Sequence, residues 1–171
     1  MPSAKRLPNA VTGSDRPDPT RIVADADVLA ADLLVGAAAR EALDHVRAHS
    51  WLELVASDPL LDDAETVIAD LAGADLASDW RERIELLRVR VEQTPGDHPA
   101  LASVLAGNAA HLLTFDERLQ GAKAGAQLRQ RLSTNTSVKS PDAFARLFDP
   151  AVLYPEVVGG EYPGPDRDSR A

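Results

Sequence analysis

Two short apolar runs, each closed by an aspartate, constrain the fold of this chain most: Arg21-Ile-Val-Ala-Asp25-Ala-Asp27 and His111-Leu-Leu-Thr-Phe-Asp116. An apolar run that short, without polar alternation, reads as a strand buried on both faces, which is the habit of parallel sheets. Longer stretches with apolar residues at helical spacing lie between such runs. Val28 to His49 is alanine-rich, with Leu29, Leu33, Ala37 and Leu43 near one face, and Asp75 to Glu92 places Leu76, Trp80, Ile84 and Leu87 likewise. Trp51 to Ser57 reads as a second strand. Asp58-Pro59, an aspartate N-cap with proline at the first helical position, opens a helix to about Leu71. A short helix from Asp97-His98-Pro99 to Gly107, a helix over 123–132, a strand around Thr136 to Val138 and a helix from Pro141 complete the pattern. Such alternation predicts an α/β fold: a three-layer α/β/α domain, Rossmann-like, with a central, mainly parallel sheet of four or five strands.

With 171 residues there is room for one domain with a substantial core. Prolines and small polar residues mark 1–20 as a disordered lead-in and 149–171 as an irregular tail, leaving 21–148 as the domain; Tyr154 and Tyr162 are placed to pin the tail. The absence of cysteine excludes disulfides, thiolate metal sites and a cysteine nucleophile. No apolar run approaches the roughly 20 residues of a membrane span, and the first twenty lack a signal-peptide core, so a soluble cytoplasmic protein is expected. The net charge of −9 comes from 18 Asp and 9 Glu against 15 Arg and only 3 Lys. That balance is similar to proteins of a salt-rich, halophile cytoplasm, where repulsion is screened within a few ångströms. An acidic surface therefore does not exclude a nucleic-acid partner, which in molar salt is held by local contacts and bound metal.

In an open parallel sheet, ligands bind beyond the carboxyl ends of the strands, where Asp25 and Asp116 fall. Asp63 and Asp97 also stand beside apolar runs. Gathered carboxylates repel one another unless a proton or cation intervenes, and oxygen ligands suit Mg²⁺ or Mn²⁺. Each acid also has a structural reading: Asp27, Asp97 and Asp116 as helix caps, Asp62 and Asp63 as a solvated helix face. Their joint placement beside strand ends favours a site. His45 and His49 are spaced for one metal but lack a third ligand, while His98 and His111 read as structural. Arg81, Arg83, Arg88 and Arg90, interleaved with Glu82 and Glu85, suit a solvated, paired helix face better than a phosphate contact.

Over residues 21–148 the chain resembles the PIN-domain family of metal-dependent nucleases. Ile22-Val-Ala-Asp25-Ala-Asp27-Val-Leu resembles the family's first strand, though Asp27 stands where Asn or Ser is usual. Leu54-Val-Ala-Ser57 and Leu60-Leu-Asp-Asp63-Ala-Glu65 are similar to the second strand and the helix carrying the second acid. That acid is usually glutamate. Counting from Ser57 selects Asp63, with Asp62 and Glu65 as rivals; Glu65 lies about 200° further round the helix. Asp97-His-Pro-Ala-Leu, then Leu112-Leu-Thr114-Phe-Asp116, resembles the third acid at a helix start and a strand ending in Thr-x-Asp. Val138-Lys-Ser-Pro141 is similar to the closing strand and helix.

The resemblance implies phosphodiester hydrolysis of RNA, less often DNA, by an endoribonuclease using Mg²⁺ or Mn²⁺. Asp25 and Asp116 would be the principal ligands, Asp97 a further one, Asp63 a ligand or orienter of the attacking water, and Thr114 a hydrogen-bonding neighbour. Two alternatives stay open, a PIN-like binding module with a weak or inactive site and a toxin-type ribonuclease silenced by a protein partner; a homodimer is compatible with any of these readings. A haloacid-dehalogenase phosphatase is disfavoured by the order of its motifs, and a phospho-receiver domain by the lack of an acceptor aspartate other than Asp58.

Overall fold

The computed structural model of the chain describes residues 16–94, 96–121 and 136–170. Five strands form one sheet: β1 (Asp18–Ala24), β2 (Glu53–Ser57), β3 (Arg88–Val91), β4 (Ala109–Leu113) and β5 (Ser137–Lys139). All four pairings are parallel, in the spatial order β3-β2-β1-β4-β5. The described helices are α1 (Ala26–Leu34), α2 (Ala37–Ala48), α3 (Asp58–Ala72), α4 (Ala74–Leu87), α5 (Pro99–Gly107), α6 (Glu117–Gln120), α7 (Pro141–Leu147) and α8 (Pro150–Val157). This is the three-layer α/β/α architecture, with helices flanking a fully parallel sheet.

Ile22, Val23 and Ala24 of β1 and Leu112 and Leu113 of β4 are fully buried, as central strands covered on both faces must be. The core spreads from them to Leu54 and Val55, to Val28 and Leu29, and to Leu60, Leu61 and Ile68. α5 lies so close to β2 that a Cβ on Gly107 would meet the Val55 side chain at 2.4 Å. Glycine there sets the spacing of helix and sheet.

The structure departs from the sequence reading in six places within these elements. The stretch from Val28 to His49 is two helices, because Gly36, at φ 80°, takes a conformation that breaks the first from the second. The helix expected to reach Glu92 stops at Leu87, and Arg-Val-Arg-Val becomes the edge strand β3. Ser57, not Asp58, caps α3, its hydroxyl accepting from Leu60 N at 3.3 Å. His98, not Asp97, caps α5, through Nδ1 at 3.3 Å from Ala100 N. The tail read as irregular from 149 opens with α8, capped by Asp149, and β1 begins at Asp18, inside the expected lead-in. The helix expected over 123–132 lies outside the described residues, as does the lead-in up to residue 15.

No helix among the described residues is long and apolar enough to cross a membrane. Tyr154 and Tyr162 do anchor the C-terminal segment. Tyr154 packs edge-on against Trp51 at 5.4 Å, and the Tyr162 hydroxyl is hydrogen-bonded to His49 Nε2.

Candidate functional site

The strand order turns about β1. From β1 the chain moves through α1 and α2 to β2 on one side, while β4 and β5 lie on the other. The carboxyl ends of β1 and β4 therefore border a switch point, the crevice where open α/β sheets bind ligands. Register brings Ala24 opposite Leu113, so the next residues, Asp25 and Thr114, are neighbours across the sheet edge. The ladder continues through Asp25 N, which donates to Leu113 O at 2.8 Å, and Thr114 N, which donates to Lys139 O at 3.0 Å.

Side chains knit this edge together. The buried Thr114 hydroxyl donates to Asp25 Oδ2 at 2.9 Å and accepts from Asp116 N at 3.0 Å. Asp27 Oδ2 accepts from Phe115 N at 3.3 Å, which fixes the backbone between Thr114 and Asp116 from the other side. Asp27 is thus not the cap of α1. That cap is Asp25, whose Oδ1 takes Ala26 N at 2.8 Å. Partial desolvation first, and then the Asp25 carboxylate, push the Asp27 carboxyl above its ordinary pKa, with a smaller push from Asp116. Asp27 therefore feels both other carboxylates at this strand edge.

Asp116 caps α6, taking Arg118 N at 2.9 Å, and its carboxylate meets the Arg118 guanidinium at 3.3 Å. The hydrogen bond from Arg118 holds its pKa below the usual carboxylate range, and the His98 imidazole adds a smaller pull the same way. A polar relay places the residue before His98: Ser57 Oγ donates to Gln93 Oε1 at 2.8 Å, and Gln93 Nε2 donates to Asp97 O at 3.1 Å. Ser103, buried on α5, accepts from Ser57 N at 3.1 Å. The ends of β1 and β4 thus form one polar edge carrying Asp25, Asp27, Thr114 and Asp116, while Ser57, Gln93 and Ser103 tie the end of β2 to α5 and to the backbone of Asp97 before it. Sequence spacing gave no signal for Gln93, Ser103 or the role of Asp27, because each acts through a partner 36 or more residues away or across the sheet.

The second acid divides three ways. Asp62 and Glu65 both pair with Arg81 of α4, at 2.7 and 3.0 Å. Asp63 is exposed on α3 and joins none of the ion pairs of the described residues. Arg88 and Arg90 are held by Asp58, and Arg88 also by Glu85, so these guanidiniums are occupied within the protein. His49 is likewise occupied, between His45 O and Tyr162, and His111 lies against Phe144 and Phe148.

Among the described residues, no three acids or imidazoles converge closely enough to grip an ion as they stand. The donor chemistry nevertheless fits a hard divalent cation. Asp25, Asp27 and Asp116 present only oxygen, and each ionised carboxylate has about four acceptor positions, of which one to three are used here, Arg118 taking all three on Asp116. Two open clefts, of about 470 and 380 Å³, lie elsewhere: one between α2 and the C-terminal segment, the other against β5, α7 and α8. Neither includes the acids.

The fold and this edge define an α/β/α domain with an acid-lined switch point. The chain belongs to a family of unknown function (DUF7384), whose model matches residues 16–170. No curated protein and no solved structure matches it.

Proposed function

We propose that this protein is a metal-dependent phosphodiesterase of the PIN-like kind that cleaves RNA. The observation that carries the reading is the Thr114 hydroxyl, which joins the Asp25 carboxylate to the backbone of Asp116 across β1 and β4. Caps of unrelated helices need no such link. Asp25 and Asp116, with Asp27 beside them, would hold Mg²⁺ or Mn²⁺, with Asp97 and Asp63 at its margin. When bound, the ion supplies positive charge that polarises a phosphate and makes a nearby water more acidic. Thr114 keeps one oxygen of Asp25 turned to the strand edge. The Asp27–Phe115 hydrogen bond holds the loop that carries Asp116. Arg118, paired with Asp116 and 90% exposed, would be released by an ion on that carboxylate and could then meet the phosphate backbone.

A second reading has its own support. Asp25 and Asp116 both spend an oxygen on capping, and Asp116 already has a guanidinium partner, which suits a PIN-like binding module without catalysis.

Calorimetry with Mn²⁺ in molar KCl, beside RNA cleavage on the same samples, separates the two. The nuclease reading expects the parent to bind and cleave, and Asp25→Asn/Asp116→Asn to lose both while keeping its melting temperature. A folded parent that binds no Mn²⁺ would sink it and leave the binding module.

A further inference from the structure

An acidic chain that handles RNA needs some means of holding a polyanion. Among the described residues, the guanidinium at this edge, Arg118, is engaged by Asp116 until an ion takes that carboxylate. An aromatic ring offers a hold that does not depend on that release. The protein has only two tryptophans, two tyrosines and three phenylalanines. Trp80 and Phe144 are buried in the core. Trp51, Tyr154, Tyr162 and Phe148 stack with one another or with His45, His49, His111 and Phe144 around α2, α7 and the C-terminal segment. Phe115 alone stands at the carboxyl edge, between Thr114 and Asp116. It is 47% exposed and takes part in none of the ring contacts of the described residues.

Its position is set by the backbone. Phe115 N is held by Asp27, and the amide that follows is held by Thr114, so the ring is carried on a peptide clamped to the acid cluster at both ends. An exposed ring on a fixed mount beside a phosphate-cleaving centre is a ready surface for a nucleobase. Base stacking on an aromatic face tolerates any sequence and survives salt, because little of its strength comes from counterion release.

We infer that Phe115 is the base-stacking residue of this site, holding the face of one unpaired nucleotide of RNA beside the carboxylates. This rests on the nuclease reading for its substrate, but it is read out by binding rather than by chemistry. The contact favours single-stranded over duplex RNA, since a paired base has no free face.

The test compares the parent, Phe115→Ala and Phe115→Trp, with a short fluorescein-labelled RNA as a single strand and as a duplex. Anisotropy in Mn²⁺ and molar KCl gives the Kd, and cleavage and Mn²⁺ calorimetry are run on the same samples. The expected result is a Kd for the single strand weakened about 5- to 100-fold in Phe115→Ala, recovered in Phe115→Trp, with Mn²⁺ affinity unchanged. Where cleavage is seen, the loss falls on KM and leaves kcat alone, as for a contact made equally in the ground and transition states. Equal single-strand Kd for parent and Phe115→Ala overturns the inference, as does a parent that prefers the duplex or binds no RNA. In the first two cases cleavage by the parent leaves the nuclease reading standing. RNA binding that depends on Phe115 in a parent that does not cleave upholds the contact and removes the nuclease.

Discussion

Two acid clusters sit on this sheet, and they are managed in opposite ways. Around β3, Asp58 is gripped by Arg88 and Arg90, and Arg81 gathers Asp62, Glu65 and Glu85. Hydrogen bonds from Arg90 and Arg88 hold the Asp58 carboxyl well below its ordinary range. At the ends of β1 and β4, the Asp27 carboxyl is instead pushed up by its neighbour Asp25, and the only guanidinium in contact among the described residues is the exposed Arg118. A carboxylate compensated by arginine stabilises an edge strand. A carboxylate left against its own kind leaves the fold with repulsion that a cation would remove. The difference separates structural acids from candidate ligands more sharply than composition does, since both clusters contribute to the same net charge.

Breaking the compensated cluster should cost most. The Arg88 side chain is only 4% exposed and donates to Asp58, Glu85 and the Ala56 carbonyl. Arg88→Met takes one of the two arginines from Asp58 and from Glu85 and removes a donor from the Ala56 carbonyl, and we expect a loss on the order of 3 kcal/mol in urea unfolding. A loss below that of an ordinary surface ion pair would mean that the β3 network is ornamental. Thr114→Val comes next. It removes a buried hydroxyl bonded on both sides and should cost about 2 kcal/mol while impairing Mn²⁺ binding. Unchanged binding in that variant would show that the bridge between Asp25 and Asp116 does not position ligands.

The smallest effect has the opposite sign. A raised pKa means that the folded chain keeps a proton on Asp27 that the unfolded chain has released, so stability falls as pH rises through the window above 3.8. Asp27→Asn carries no charge and removes that fall, so at neutral pH it should match or exceed the parent by under about 1 kcal/mol. Destabilisation at pH 7 with none at pH 3 would place Asp27 in the compensated class after all.

Much of the candidate site is legible along the chain because it is built at strand ends. Apolar runs that stop at an aspartate mark Asp25 and Asp116, and Asp-His-Pro marks the start of α5 to within a residue. The strand that escaped notice is β3. Its four residues alternate with arginine, and Leu86-Leu87 before it continue the helical spacing, so nothing local announces the change of period. The α8 helix is announced by Asp149-Pro150, an N-cap followed by proline, but Pro155 inside it and the glycines beyond it argue for irregular chain. The caps shifted by one residue for a shared reason. Serine and histidine compete with a neighbouring aspartate for the helix-start amides, and at α3 Arg88 and Arg90 also draw Asp58 away.

Periodicity and strand-end acids by themselves determined an α/β/α domain with a mainly parallel sheet, because burial on both faces and helical spacing are written in consecutive residues. Only the tertiary structure decided that β1 lies between β2 and β4, that Asp27 braces Phe115 rather than capping a helix, and that Asp62 and Glu65 are taken by Arg81 while Asp63 is not. Those outcomes depend on which residues meet across 16 to 89 positions of chain. Such meetings are set by strand order and by competition among many acids for few arginines, neither of which has a local signature.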